Sequence, residues 1–179
     1  GVKVASEDDI KSIIAEVEAS EIKPYADNTI IEPLINPEVK LKGTTIKNTT
    51  YHESLGFTEW TLKNGIKVVV RPSALKADEV MLTATSKGGK SMLKVEESQQ
   101  ADLLATVMQY SGIGKFPATD LGKQLSGKSA YASVGVGNYE HSVYAGGSPK
   151  DIETILQLVY LNFTSPRFDQ TDLDNIKQM

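Results

Sequence analysis

"FTEWTLKNGIKVVVRP", Phe57 to Pro72, has the pattern of two short strands around a turn, and it starts nearly a third of the way along a chain of 179 residues. Asn64-Gly65 stands between "TEWTL" and "IKVVV". Asn-Gly supplies positive φ at both central positions of a two-residue type I′ turn, so a β-hairpin is predicted. Next, "EVMLTATSKGG" (79–89) runs through β-compatible residues to the breaker Gly88-Gly89, giving a third strand. Residues 96 to 110 then put Ala101, Leu104, Val107 and Met108 on one helical face, with Gly112 as the stop.

Further along, a short helix is expected around residues 119 to 126. "SAYASVGVGNYEHSVYAGG" (129–147) follows as two period-2 runs joined near Asn138, which predicts adjacent antiparallel strands. Ser148 as cap, Pro149 at the first helical position and Asp151 three residues past the cap launch another helix. Its predicted apolar stripe is Ile152, Ile155, Leu156, Val159 and Phe163. Strands gathered with helices on one side give an α+β fold, a two-layer sandwich of a mostly antiparallel sheet with helices on one face.

Upstream, Ser6 and Asp9 have the spacing of a capping box, and Ile10, Ile13, Ile14 and Val17 follow at i, i+3, i+4 and i+7. One amphipathic helix cannot bury its own stripe, so residues 1–25 are expected to be the helical tail of a preceding domain. Residues 26–55 are expected to be an extended interdomain linker, because Pro24, Pro33 and Pro37 leave no room for a regular element between them. Asp169 caps a last helix carrying Leu173 and Ile176. No Gly or Pro ends that helix before Met179, so 56–179 is expected to be the first part of a domain, truncated at its C-terminus.

Composition narrows the function classes. With 40% hydrophobic and 23% charged residues the chain is that of a globular protein. A net charge of -4 and scattered lysines offer no basic stripe for phosphates, which excludes nucleic acid as a partner. No apolar run approaches the roughly 18 residues of a membrane span. The absence of cysteine removes disulfides and thiolate metal sites.

Three motifs mimic chemistry. "SKGGKS" (86–91) ends like a phosphate-binding loop, but that spacing requires glycine where Ala84 stands inside a predicted strand. A glycine turn is the better reading. "GVGNYE" (135–140) has Glu140 in place of the third glycine of a dinucleotide fingerprint, and no helix begins there. His52 and His141 are the only histidines, each beside a glutamate, Glu53 and Glu140, but one lies in the linker and the other within a strand pattern, and both are expected to be solvent-facing or strand-paired. They lack the one-helix spacing that makes two imidazoles converge on zinc. No Ser-His-acid set can be assembled either. Trp60 and the tyrosines are expected in the core and on sheet faces. No catalytic, cofactor-binding or metal-ligating residue is nominated.

Taken together, "TEWTLKNGIKVVVRPSALKADEVMLTATSKGG", the helix with "SGIG", and "SPKDIETILQLVYLNFTSPRFD" resemble a domain of the pitrilysin/insulinase-type zinc peptidases, the inverzincin group. The resemblance implies the LuxS/mitochondrial-processing-peptidase-like metallohydrolase fold, in which an L-x-N-G-x-x-V hairpin opens each repeat. Catalytic repeats of that family carry H-x-x-E-H on the helix after the third strand, where two histidines hold zinc and the glutamate polarises water. Here that helix reads "EESQQADLLATVMQYSG" (96–112), with no histidine. The resemblance therefore implies a non-catalytic repeat, inactive by itself, forming part of the wall of a peptide-binding chamber. Zinc would sit in the parent's separate catalytic domain. The implied partners are the other repeats of the parent chain and a peptide substrate, with self-association of the isolated piece, in a bacterial periplasm or envelope. The alternative is a catalytically dead scaffold or interaction domain of the same fold.

Overall fold

A computed structural model describes residues 5–21 and 32–178. The reading of Pro24 and of the linker up to residue 31 lies outside the described residues, as do residues 1–4 and 22–25 of the helical tail. Helix α1 (Glu7–Ala19) begins as its sequence dictates: Asp9 N donates to Ser6 Oγ at 3.2 Å, and Ser6 N donates to the Asp9 carboxylate at 2.9 Å. Ile10, Ile13, Ile14 and Val17 all remain about half exposed.

Strands β1 (Ile46–His52), β2 (Phe57–Leu62) and β3 (Lys67–Val70) form an antiparallel sheet in the order β1-β2-β3. β1 lies within residues 26–55, expected from the sequence to be an extended linker. Its residues, IKNTTYH, are exposed except for the half-buried His52, so no apolar alternation marks the strand. It forms by backbone pairing along the β2 edge, in a register that joins His52 to Phe57 and Ile46 to Leu62.

The β2–β3 hairpin is present, but its turn is not type I′. Among the described residues only glycines adopt positive φ, so Asn64 does not, while Gly65 sits at +89°. Gly65 N donates to Leu62 O at 2.9 Å, Leu62 N donates to Ile66 O at 2.8 Å, and Asn64 Oδ1 accepts from Ile66 N at 3.2 Å. This is a three-residue loop, Lys63-Asn64-Gly65, closed by a glycine bulge.

Strand β4 (Val80–Lys87) does not extend that sheet. It pairs with β6 (Glu140–Gly147), which also pairs with β5 (Ala130–Val136), so the antiparallel strands fall into two three-stranded sheets, the second ordered β4-β6-β5. Helices α2 (Val95–Ser111), α3 (Ala118–Gln124), α4 (Ile152–Thr164) and α5 (Gln170–Gln178) complete the chain. α2 contacts β5, and α4 contacts both β5 and β6. Val143 and Ala145 of β6 are buried, and the main cluster gathers Ile113, Phe116, Leu158, Leu161 and, from the supposed linker, Leu34. The architecture is α+β, with antiparallel strands and helices as predicted.

Local signals at the helix ends are mostly met. α2 stops at Gly112, whose φ is +79°, and Asp169 accepts from Thr171 N at 2.9 Å to open α5. α4 differs in two ways. Pro149–Asp151 form a 3-10 turn ahead of it, and the Asp151 carboxylate accepts from Ser129 N at 2.9 Å instead of closing a box on Ser148. Its buried residues are Thr154, Ile155, Leu158 and Leu161, so of the predicted stripe only Ile155 is fully inside. α4 is apolar around most of its circumference, and periodicity alone cannot choose the inward face of such a helix.

Candidate functional site

α2 is the helix in which the resemblance would look for a zinc motif. Ala101, Leu104, Val107 and Met108 are half-buried as the spacing predicts, and two of its carboxylates are engaged. Glu97 accepts from Lys94 N at 3.1 Å at the first turn, and Asp102 accepts from Lys90 Nζ at 2.7 Å. Among the described residues no three His, Cys, Asp or Glu side chains gather where they could hold a metal.

The two histidines lie in different sheets. His52, in β1, stacks on Phe57 with 4.4 Å between ring centroids, and its Nε2 points toward Glu59 Oε2 at 3.9 Å. Lys67 Nζ reaches the same Glu59 at 3.0 Å. His141, in β6, is exposed and strand-paired, as expected. Its Nδ1 accepts from Gly89 N at 3.4 Å.

That contact belongs to the docking of "SKGGKS" on the β5–β6 turn. Gly88 N donates to Tyr139 O, Lys90 N to Gly137 O and Ser91 N to Asn138 O, all at 2.8–2.9 Å. The amides that would cradle a phosphate are thus already bonded, and the loop is the structural turn its sequence implies. A Cβ at Gly89 would fall on Gly137 O and within 2.7 Å of Glu140 N. The glycine allows the two backbones to approach.

The face of β4-β6-β5 turned away from the helices is open. Register places Met81, Gly146 and Tyr131 in one row and Thr83, Tyr144 and Ser133 in the next. Met81, Tyr131 and Tyr144 are exposed, and the Tyr131 ring lies over Gly146, where a Cβ would come within 2.8 Å of its hydroxyl. Tyr51, Tyr131 and Tyr144 lie on strands as expected, but none of the six described tyrosines is in the core, while Trp60 is half-buried in β2. The outer edges of β4 and β5 are unpaired among the described residues. A cavity of about 550 Å³ behind β5 is walled by Met108, Ile113, Leu121, Leu125, Ala130 and Leu158 among others. The strand periodicity at 129–147 could have revealed the open face, since it places Tyr131, Ser133 and Tyr144 on one side. Nothing local signalled the cavity.

No protein-family model matches the chain. A zinc protease described as PQQL-like, from Arabidopsis thaliana, is 26% identical over 165 residues, covering 90% of this chain and 14% of the relative. The chain is similar to the pitrilysin-type zinc proteases. Solved structures share the fold. The ferredoxin protease FusC, crystallised as a point variant with Arabidopsis ferredoxin, superposes with a TM-score of 0.72 at 18% identity, over 99% of this chain and 19% of its own. The periplasmic protease PqqL of Escherichia coli gives 0.72 and 18%, over 98% of this chain and 19% of its own. A Helicobacter pylori protease gives 0.53 and 17%, over 68% and 29%. The chain therefore spans less than a fifth of the curated relative and of the FusC and PqqL chains. No described helix is long and apolar enough to cross a membrane.

Proposed function

We propose that this chain is a non-catalytic module of a multi-repeat zinc protease, and that the open face of β4-β6-β5 forms part of the wall of a chamber holding an unfolded peptide. The carrying observation is α2, which by the resemblance corresponds to the H-x-x-E-H helix of a catalytic repeat but has no imidazole along Val95–Ser111. Lacking imidazole, and with Glu97 and Asp102 bonded to Lys94 N and Lys90 Nζ, the helix is expected to supply neither a Lewis acid nor an activated water. The module's contribution is then recognition. An extended peptide adds to an unpaired strand edge through its backbone, and rows such as Met81-Gly146-Tyr131 meet its side chains. FusC crystallised with a ferredoxin is consistent with protein substrates for such an assembly. Its other partners are the remaining repeats of the parent, and zinc belongs to one of those.

A periplasmic neighbour supports an envelope setting, whereas the curated relative comes from a plant. Zinc analysis and a peptidase assay on the purified chain test the reading. Less than stoichiometric zinc and no cleavage are expected; one bound zinc per chain, or turnover of a denatured protein, would overturn it.

A further inference from the structure

We infer that residues 32–39 are a latch seated on the α+β body, with Leu34 as its anchor and Glu32 as its clasp. Leu34 is 8% exposed and packs in one cluster with Ile113, Phe116, Leu158 and Leu161, three of them 4% exposed or less. The Glu32 carbonyl accepts from Gln124 Nε2 at 2.7 Å, and its carboxylate pairs with Lys115. Asn36 then turns the chain back: its side chain accepts from Glu38 N at 3.0 Å and its carbonyl from Val39 N at 2.9 Å. Beyond this turn, residues 40–45 are exposed. Docking is therefore confined to one segment, and its polar and apolar contacts all converge on the α2–α3 connection, α3 and α4.

The seat gives the latch a consequence. Ile113 and Leu158, which receive Leu34, also wall the cavity behind β5. Ile113 and Phe116 exchange backbone hydrogen bonds at 2.9 Å, and Gly114 N donates to Ser165 O at 2.8 Å, so the seat is a closed loop of hydrogen bonds clamped between α2 and α4. Removing the anchor takes one member from the cluster against which Ala130 and Ala132 of β5 also pack. The seating of residues 32–39 is thereby coupled to the packing behind the β5 edge. The clasp is exposed at both partners, with Lys115 45% and Glu32 57% open to solvent, so it tunes seating and is weakened by salt, whereas the leucine sets it. The same latch would operate in a scaffold as in a protease wall.

Hydrogen exchange and limited proteolysis of the 179-residue chain test the latch. In Leu34→Ala, exchange at Ile113, Gly114 and Phe116 amides is expected to speed up about tenfold or more, and protease cuts to appear within 32–39, while β5–β6 ladder amides keep their protection. Unchanged exchange at 113–116 together with unchanged cleavage overturns the latch. If Leu34→Ala also loses the β5–β6 protection, the charge pair decides between the outcomes. Glu32→Lys and Lys115→Glu should each accelerate exchange at 113–116, and the double swap should restore it; summed losses in the double variant overturn the clasp, and exchange at 113–116 that stays unchanged in both single variants overturns the latch.

Discussion

Asp9 stands at the third position of α1, where its carboxylate accepts the Ser6 hydroxyl at 2.7 Å and the Ser6 amide at 2.9 Å. The side-chain bond, then the backbone bond, holds its carboxyl below the usual aspartate value. A folded-state pKa below the unfolded one means that this contribution is present above the ordinary carboxylate range and is lost as pH falls through the folded value. Amide exchange at Asp9 and Ile10 is therefore expected to be protected equally at neutral and mildly acidic pH and to lose protection on stronger acidification. Asp9→Asn should abolish that acid transition, and its persistence in the variant would assign it elsewhere. Two glycines make a sharper contrast. Gly89→Ala puts a methyl at φ +67° against Gly137 O and Glu140 N, and should cost about 2 kcal/mol or more in urea unfolding. Gly122→Ala, in α3 with nothing within 4 Å, should gain about 0.5–1 kcal/mol.

Among the elements, α4 shows how far an apolar pattern reaches. Ile155 and Leu156 are consecutive members of the predicted stripe, yet Ile155 is fully buried and Leu156 is 51% exposed. Ile155→Ala should cost about 2–5 kcal/mol, and Leu156→Ala under about 1 kcal/mol, in the same denaturant titration. Equal losses would place the inward face where the stripe alone puts it. β1 is the complementary case. It lacks an apolar alternation altogether, and only the edge of β2 makes it a strand. By contrast, β5 and β6 were legible because both their alternation and their joining turn are local. The turn at Asn64-Gly65 was legible as a hairpin but not as a turn type, since a type I′ turn and a three-residue bulge loop both accept Gly65 at positive φ.

For the molecule as a whole, the uncovered apolar surface is extensive. Ile152, Leu156 and Phe163 leave the outward side of α4 exposed, and the α1 stripe is equally open. Surfaces of this kind associate, so light scattering of the purified chain is expected to show mass rising above the monomer with concentration. Leu156→Glu combined with Phe163→Glu should return it toward monomer with the circular dichroism unchanged. A monomer at every concentration would mean that these faces are solvated without consequence. The candidate site divides in the same way as the fold. The absence of histidine from α2 was readable residue by residue, whereas the rows on the open sheet face needed the pairing of three strands distant in sequence.

Caps, stops and alternations were fixed by the sequence itself, because each depends on neighbours no more than a few residues away: Ser6 with Asp9, Asp169 with Thr171, Gly112 after α2. The division into two sheets, the seat of Leu34 and the inward face of α4 were decided only in three dimensions. Each is a choice among competing apolar or backbone partners far apart along the chain, and the choice is made by which packing buries the most surface while leaving the fewest backbone groups unpaired.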